Sequence, residues 1–292
     1  MRNDFLINTE SGCILLEDLA VKSSNGNRIS QRGFVGSGDR TTSNISHADT
    51  IARTQKLLDR AIAYAWHTVR SDRRPFTLTF MQWVWQLAGS YHLTHSYVQL
   101  IEEASRHFAA SGRESLAQWA AHKATEEAGH DRLALLDIQS MGYNAQGVVK
   151  ALIPPSAIVL VNYLARSVQA LDPIGCVGYS YTLERIAIGI KEKHIRSVEG
   201  LLPPTIRATR CLRVHSSVGG DVEHVEETVE MVAQLAYEER IRVAMACYET
   251  ALLYFNPLAE DYISEDELKD ILKPLELRSD VQGKVDIHSF TR

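Results

Sequence analysis

The sequence has only four cysteines, Cys13, Cys176, Cys211 and Cys247, and no two of them stand at metal-knuckle spacing. That scatter excludes a zinc knot or a dense disulfide framework and fits the reduced thiols of a cytosolic protein. Positive charge is not in excess either. Lys and Arg number 31 against 36 Asp and Glu, a formal net charge of −5, so there is no electrostatic footprint for nucleic acid. No apolar run of about 18 residues occurs, which argues against a membrane span. The first residues, MRNDFLINTESG, lack the basic and then apolar pattern of a secretory or transit peptide. Internal repeats and low-complexity domains are missing too. What is present, 45% hydrophobic and 23% charged residues in a chain of 292, is enough for one large domain or two small ones.

Period-2 alternation is also scarce, and the long segments instead carry apolar residues three and four apart, the helical pattern. Residues 1–48 are rich in Ser, Asn, Gly, Arg and Thr and read as a flexible arm. Residues 49–256 read as one helical domain. The spacing predicts helices near 49–70, 76–110, 113–141, 155–171, 174–200, 204–216 and 220–256. They are separated at Pro75, Ser111-Gly112, Gly142, Pro154-Pro155, Asp172-Pro173, Pro203-Pro204 and Gly219-Gly220. Residues 257–292 hold a short acidic helix, SEDELKDILKPL, and a polar tail. The fold class is therefore all-α, a bundle of about seven helices.

Within the segment TEEAGHDRLALLDIQSMG, Glu127 and His130 are three apart and would share one helix face. Carboxylate-bridged di-metal bundles use this E-x-x-H spacing, the acid binding a hard ion and the imidazole adding nitrogen one turn on. Asp221 and His224 repeat the spacing in GGDVEHVEE, where Asp221 is also a natural helix cap. Helix rise then tests which residues lie level. Counted from a turn near residue 112, Glu127 and His130 lie 15 and 18 residues after it, and His95 and His92 lie 17 and 20 before it. Counted from a turn near 202, Glu184 lies 18 before, while Asp221 and His224 lie 19 and 22 after. Glu184 is also the only acid between Pro173 and Ile190, and a lone carboxylate on an apolar helix calls for a partner or a metal. The candidate metal ligands are thus His95, Glu127, His130, Glu184, Asp221 and His224. Their mixture of carboxylate and imidazole suits iron or manganese, since structural zinc would favour thiolates.

Several neighbours keep two readings. Lys123, one turn before Glu127, is either a partner for a carboxylate of the site or a solvated side chain. Glu126 sits about 100° round the helix and reads as solvated. Arg185 is a possible ion-pair partner for Glu184, and Asp131 or Asp137 a possible acceptor that orients a ligating histidine. Trp83, Trp85, Tyr91, Tyr97, Tyr179 and Tyr181 read as core, or as the wall of a substrate pocket.

Three stretches, H-x-x-x-E-E-x-G-H-D-x-x-x-x-x-D-x-x-x-M-G at 122–142, G-Y-x-Y-x-L-E at 178–184 and V-H-S-S-V-G-G-D-V-E-H at 214–224, resemble the haem-oxygenase-like di-iron oxidases, relatives of the TenA and PqqC folds. The resemblance covers roughly residues 76–256. It implies a haem-oxygenase-like seven-helix bundle in which two irons held by about six ligands activate O2. Glu127 with His130, Glu184, and Asp221 with His224 match that pattern. His92 and His95 stand where the family normally offers a glutamate. Ser217 stands where a histidine is usual, with His215 close by, able to point inward only if Gly219-Gly220 breaks the helix. Two ions or one are open at this point.

The expected activity is that of a cytoplasmic non-haem iron oxidase or oxygenase acting with O2 on a small organic substrate, in secondary metabolism, with a homodimer plausible. The rivals are a metal-free PqqC- or TenA-like acid–base enzyme and a non-catalytic helical ligand-binding protein with a degenerate site.

Overall fold

The structure, a computed structural model, describes residues 47–69, 78–216 and 221–277. The expected N-terminal arm up to residue 46, and the tail after 277, lie outside the described residues. Within them the architecture is all-α, as the periodicity requires, and no strand forms. A single bridge pairs Tyr143 with Glu276.

The helices are α1 (His47–Val69), α2 (Phe80–Ala110), α3 (Glu114–Glu127), α4 (Asp131–Ser140), α5 (Ala145–Ala151), α6 (Pro155–Val168), α7 (Gly175–Ala187), α8 (Glu192–Glu199), α9 (Arg210–Val214), α10 (Asp221–Ala233), α11 (Tyr237–Phe255) and α12 (Glu265–Leu272). The seven expected segments are all present, but several are broken. The segment 113–141 divides at Ala128–His130, 174–200 at residues 188–191 and 220–256 at 234–236. Of 204–216 only α9 is helical, because the chain after Pro203-Pro204 runs as turn and irregular backbone to residue 209. Helix α5 was not expected. Its start is set by Asn144, whose side chain accepts from the Gly147 N–H at 3.1 Å.

Helix α2 is the long axis of the fold. Thr79 caps it in a reciprocal box with Gln82, and it ends at Gly112 in the left-handed region, φ 73°. Its two halves belong to different cores. The first half packs Trp83, Val84, Leu87 and Ala88 with residues of α4, α5, α8, α9 and α12. The second packs Tyr97, Ile101, Ala104 and Phe108 with α1, α3, α6, α7, α10 and α11. Polar links tie the second core together. Asp59 of α1 accepts from the Tyr181 hydroxyl and from Arg185 Nε, both at 2.8 Å. Arg185 is therefore not the partner of Glu184.

No single helix among the described residues is long and apolar enough to cross a bilayer. A bent pair, α5 with α6 at 80°, meets the length and composition test only when taken together. No disulfide links the described cysteines, and Cys176, Cys211 and Cys247 are buried.

Candidate metal centre

The site forms where α3 gives way to α4. Glu127 is the last residue of α3, and His130 is the N-cap of α4. Between them Ala128 turns extended and Gly129 adopts φ 88°, a conformation that glycine enters without Cβ strain. Glu127 and His130 therefore do not share a continuous helix face as their spacing suggested. They flank a kink that brings them together, with His130 Nδ1 2.8 Å from Glu127 Oε2. A Gly129→Ala substitution is expected to cost roughly 1–2 kcal/mol through left-handed strain. Because it shifts His130 relative to Glu127, metal affinity should fall more than the loss in melting temperature alone would imply. Calorimetric metal titration beside a thermal melt checks this.

Three other elements converge on Glu127. His215, just past the end of α9, places Nε2 4.0 Å from Glu127 Oε2, and its ring lies edge-on to His130 at 4.8 Å. The helix ends at Val214, ahead of the expected Gly219-Gly220 break, and those two glycines lie outside the described residues. Glu184 comes from α7 and His224 from α10. Two overlapping sets of donor atoms result, Glu127–His130–His215 and Glu127–Glu184–His224, each within 4.8 Å of one another. Glu127 belongs to both. Carboxylates and imidazoles with one shared carboxylate are a donor set that fits iron or manganese, and all of these side chains are buried or half-buried.

The electrostatics are those of paired groups. Burial pushes the Glu127 carboxyl up, but its hydrogen bond from His130 and the charges of His215, His130 and Lys123 outweigh that. Its pKa lies below the usual glutamate value. Lys123 is fully buried and lies 3.2 Å from both Glu126 and Glu184. Glu126, expected to be solvated, instead turns inward. It pairs with Lys123 and places Oε1 2.9 Å from His224 Nε2. The kink at residues 128–130 does not explain this, since Glu126 lies before it; the buried ammonium one turn back does.

His95 is the expected ligand that the structure does not bring to the centre. It is level with the site, as the helix rise predicted, but its Nδ1 bonds Asp131 at 2.8 Å, its ring stacks on Tyr91 and it is 54% exposed. Its azimuth on α2 points it outward, while Thr94 and Tyr97 face in. His92 reaches the Leu152 carbonyl at 3.2 Å and is likewise not a member of either donor set. Asp221 opens α10, but its side chain, like Ser217, lies outside the described residues. Asp137 does not orient a ligating histidine. It accepts from Arg210 and from the Cys211 N–H, tying α4 to α9 and so fixing the base on which His215 stands.

A cavity of about 130 Å³ opens beside the donors at the seam between the two cores. Glu127, Glu184 and His215 form its polar end, and Trp83, Leu87, Leu183 and Leu212 are among its apolar walls. Tyr97 and Tyr179 line it too, whereas Trp85, Tyr91 and Tyr181 do not. The Tyr97 hydroxyl is 2.7 Å from Ser180 Oγ, and burial, then the charge of Glu184, hold its pKa well above the ordinary value. The Tyr179 hydroxyl is buried, its pKa raised for that reason, and has no hydrogen-bond partner among the described residues.

The helical order, the two cores and the seam cavity define an all-α protein of the haem-oxygenase-like fold. The chain is similar, at TM-score 0.52 and 21% identity over 80% of its length and 94% of the other, to a domain of unknown function with a heme oxygenase-like fold from Shewanella denitrificans. It is also similar to a TenA homolog from Pseudomonas syringae pv. tomato, at TM-score 0.53 and 10% identity, covering 77% of this chain and 98% of that one. No protein-family model matches the sequence, and no curated protein does.

Proposed function

We propose that the chain is a non-haem iron oxidase or oxygenase that uses O2 to oxidise a small organic molecule held in the seam cavity. The observation that carries this reading is the shared carboxylate: Glu127 has a donor atom within 4.8 Å of two imidazoles on one side and of Glu184 and His224 on the other. When bound, iron would supply O2 activation at a position left open by the protein donors. The chain's own residues do the rest. Glu127, kept ionised by its neighbours, offers an anionic oxygen at the polar end of the cavity. His130 is held in place by that carboxylate, which fixes which ring nitrogen points at it. The apolar walls exclude bulk water from the reacting carbon.

The cavity also constrains the substrate. Its volume, about 130 Å³, is near the roughly 150 Å³ that accepts a benzene-sized molecule. An apolar ring or short chain carrying one polar group would fit, the polar group meeting the Tyr179 hydroxyl and the reactive end facing Glu127. His215→Ala is expected to weaken Fe(II) binding by roughly 10–100-fold or more while leaving helicity unchanged, as losses around metal centres do. Equilibrium Fe(II) titration with far-UV circular dichroism checks it, and unchanged affinity would remove His215 from the site.

One observation favours a second reading, acid–base catalysis without metal. Glu127 and His130 are hydrogen-bonded at 2.8 Å, an arrangement that can also move a proton. Activity that survives exhaustive chelation would select it.

A further inference from the structure

The two donor sets are not equivalent. Beside Glu127–Glu184–His224 stands Lys123, a buried cation paired with Glu184 of that set, whereas Glu127, common to both sets, pairs with His130. Its ammonium has three N–H donors. It donates to the carbonyl oxygen of His224 at 3.4 Å and forms ion pairs with two carboxylates, Glu126 Oε2 and Glu184 Oε1, each at 3.2 Å, so three oxygens surround it. Two of the three belong to residues of the second donor set. The ammonium is thus held where a metal ion on Glu184 and His224 would otherwise collect its charge.

We propose that Lys123 takes the place of the second cation, so that the centre holds one metal ion, on Glu127, His130 and His215. This rests on the metal reading above and specifies it. The charge balance agrees. Among the described side chains, Glu126, Glu127 and Glu184 carry three negative charges against the one ammonium of Lys123, which pairs with Glu126 and Glu184, leaving two negative charges for one divalent ion to neutralise. A second divalent ion would leave these described side chains with an uncompensated positive surplus in a buried place, which is unfavourable. The remaining donor set also has the composition of a one-ion site. Two imidazoles and one carboxylate, with the other coordination positions open, are the set used by mononuclear non-haem Fe(II) oxygenases. Lys123 is the residue that sets the stoichiometry, and it acts through Glu184 and Glu126 without touching the bound ion.

The test is the metal content of the full-length protein, loaded anaerobically with excess Fe(II), desalted and measured by elemental analysis. The wild type should retain about one iron per chain, Lys123→Arg about one, and Lys123→Met about two, because only the last removes the internal cation. Loaded instead with Mn(II), the wild type should give the paramagnetic resonance of an isolated ion, and Lys123→Met that of a coupled pair. Should Lys123→Met fail to fold, Lys123→Gln, which keeps a hydrogen-bond donor without the charge, carries the same expectation. Two irons in the wild type, or one iron in every folded uncharged variant, would overturn the proposal while leaving the metal reading intact. No iron in any form would overturn both.

Discussion

Replacing Glu127 with alanine is expected to lower Fe(II) affinity by more than about 100-fold, beyond the 10–100-fold typical of residues that only orient a ligand. The reason is positional. Glu127 is the one side chain common to both donor sets, so among the described residues neither set keeps its shared carboxylate when Glu127 is lost. Helicity should survive, because Glu127 is the last residue of α3 and Lys123 keeps Glu126 and Glu184 as partners. Glu127→Gln preserves the shape but not the charge and should lose most of the same affinity. Isothermal titration with Fe(II) under anaerobic conditions reads both. Wild-type affinity in either variant would mean that the ion, if any, sits elsewhere.

The largest expected effect on stability lies at Gly178 on α7. A Cβ at that position would fall 2.5 Å from the Val243 carbonyl oxygen, 2.6 Å from Ala246 Cβ and 2.9 Å from the Cys247 nitrogen. Two of these neighbours are backbone atoms of α11, so no side-chain rotation can relieve the clash. The two helices must separate, which weakens the bonds from Thr182 Oγ1 to the Cys247 carbonyl at 3.4 Å and from Cys247 Sγ to the Gly178 carbonyl at 3.5 Å. Alanine gains about 1 kcal/mol of helix propensity over glycine. Overpacking against backbone costs more, and Gly178→Ala should be destabilising by about 2 kcal/mol net. That corresponds to a melting temperature lower by roughly 4–8 °C for a domain of this size. Because Glu184 stands on the same helix, metal affinity should fall with it. An unchanged or raised melting temperature would show that α7 and α11 are not so closely packed.

Much of this was legible in the residues, and the parts that were not share a cause. Helix class followed from apolar spacing, and the levels of His95, Glu184 and His224 along their helices followed from a constant rise per residue. That is why Glu184 and His224 meet, and why His95 does lie beside the α3–α4 junction. The direction in which a side chain points is more fragile, because each helix break resets the rotation about the axis. The left-handed Gly129 broke an otherwise helical pattern after Glu127, so His130 reached its partner by a kink and not along one face. The break after α9 turned His215 inward, a conformation that its distance from Asp221 disfavoured in a continuous helix. His95 failed for a simpler reason: α2 is unbroken there, and its inward face passes through Thr94 and Tyr97. Lys123 and Glu126 left a usable signal. A lysine one turn before the metal-type glutamate, three residues from a second acid and flanked by buried Ala120 and Ala124, is a cation committed to the interior.

The measurement that bears most directly on the central claim is an anaerobic Fe(II) titration of the purified chain, followed by admission of O2. The shared Glu127 and the imidazoles of His130 and His215 predict uptake at micromolar iron, with a change in the visible spectrum and O2 consumption that both disappear in Glu127→Ala. No uptake at micromolar iron, or O2 consumption identical with and without Glu127, would contradict it.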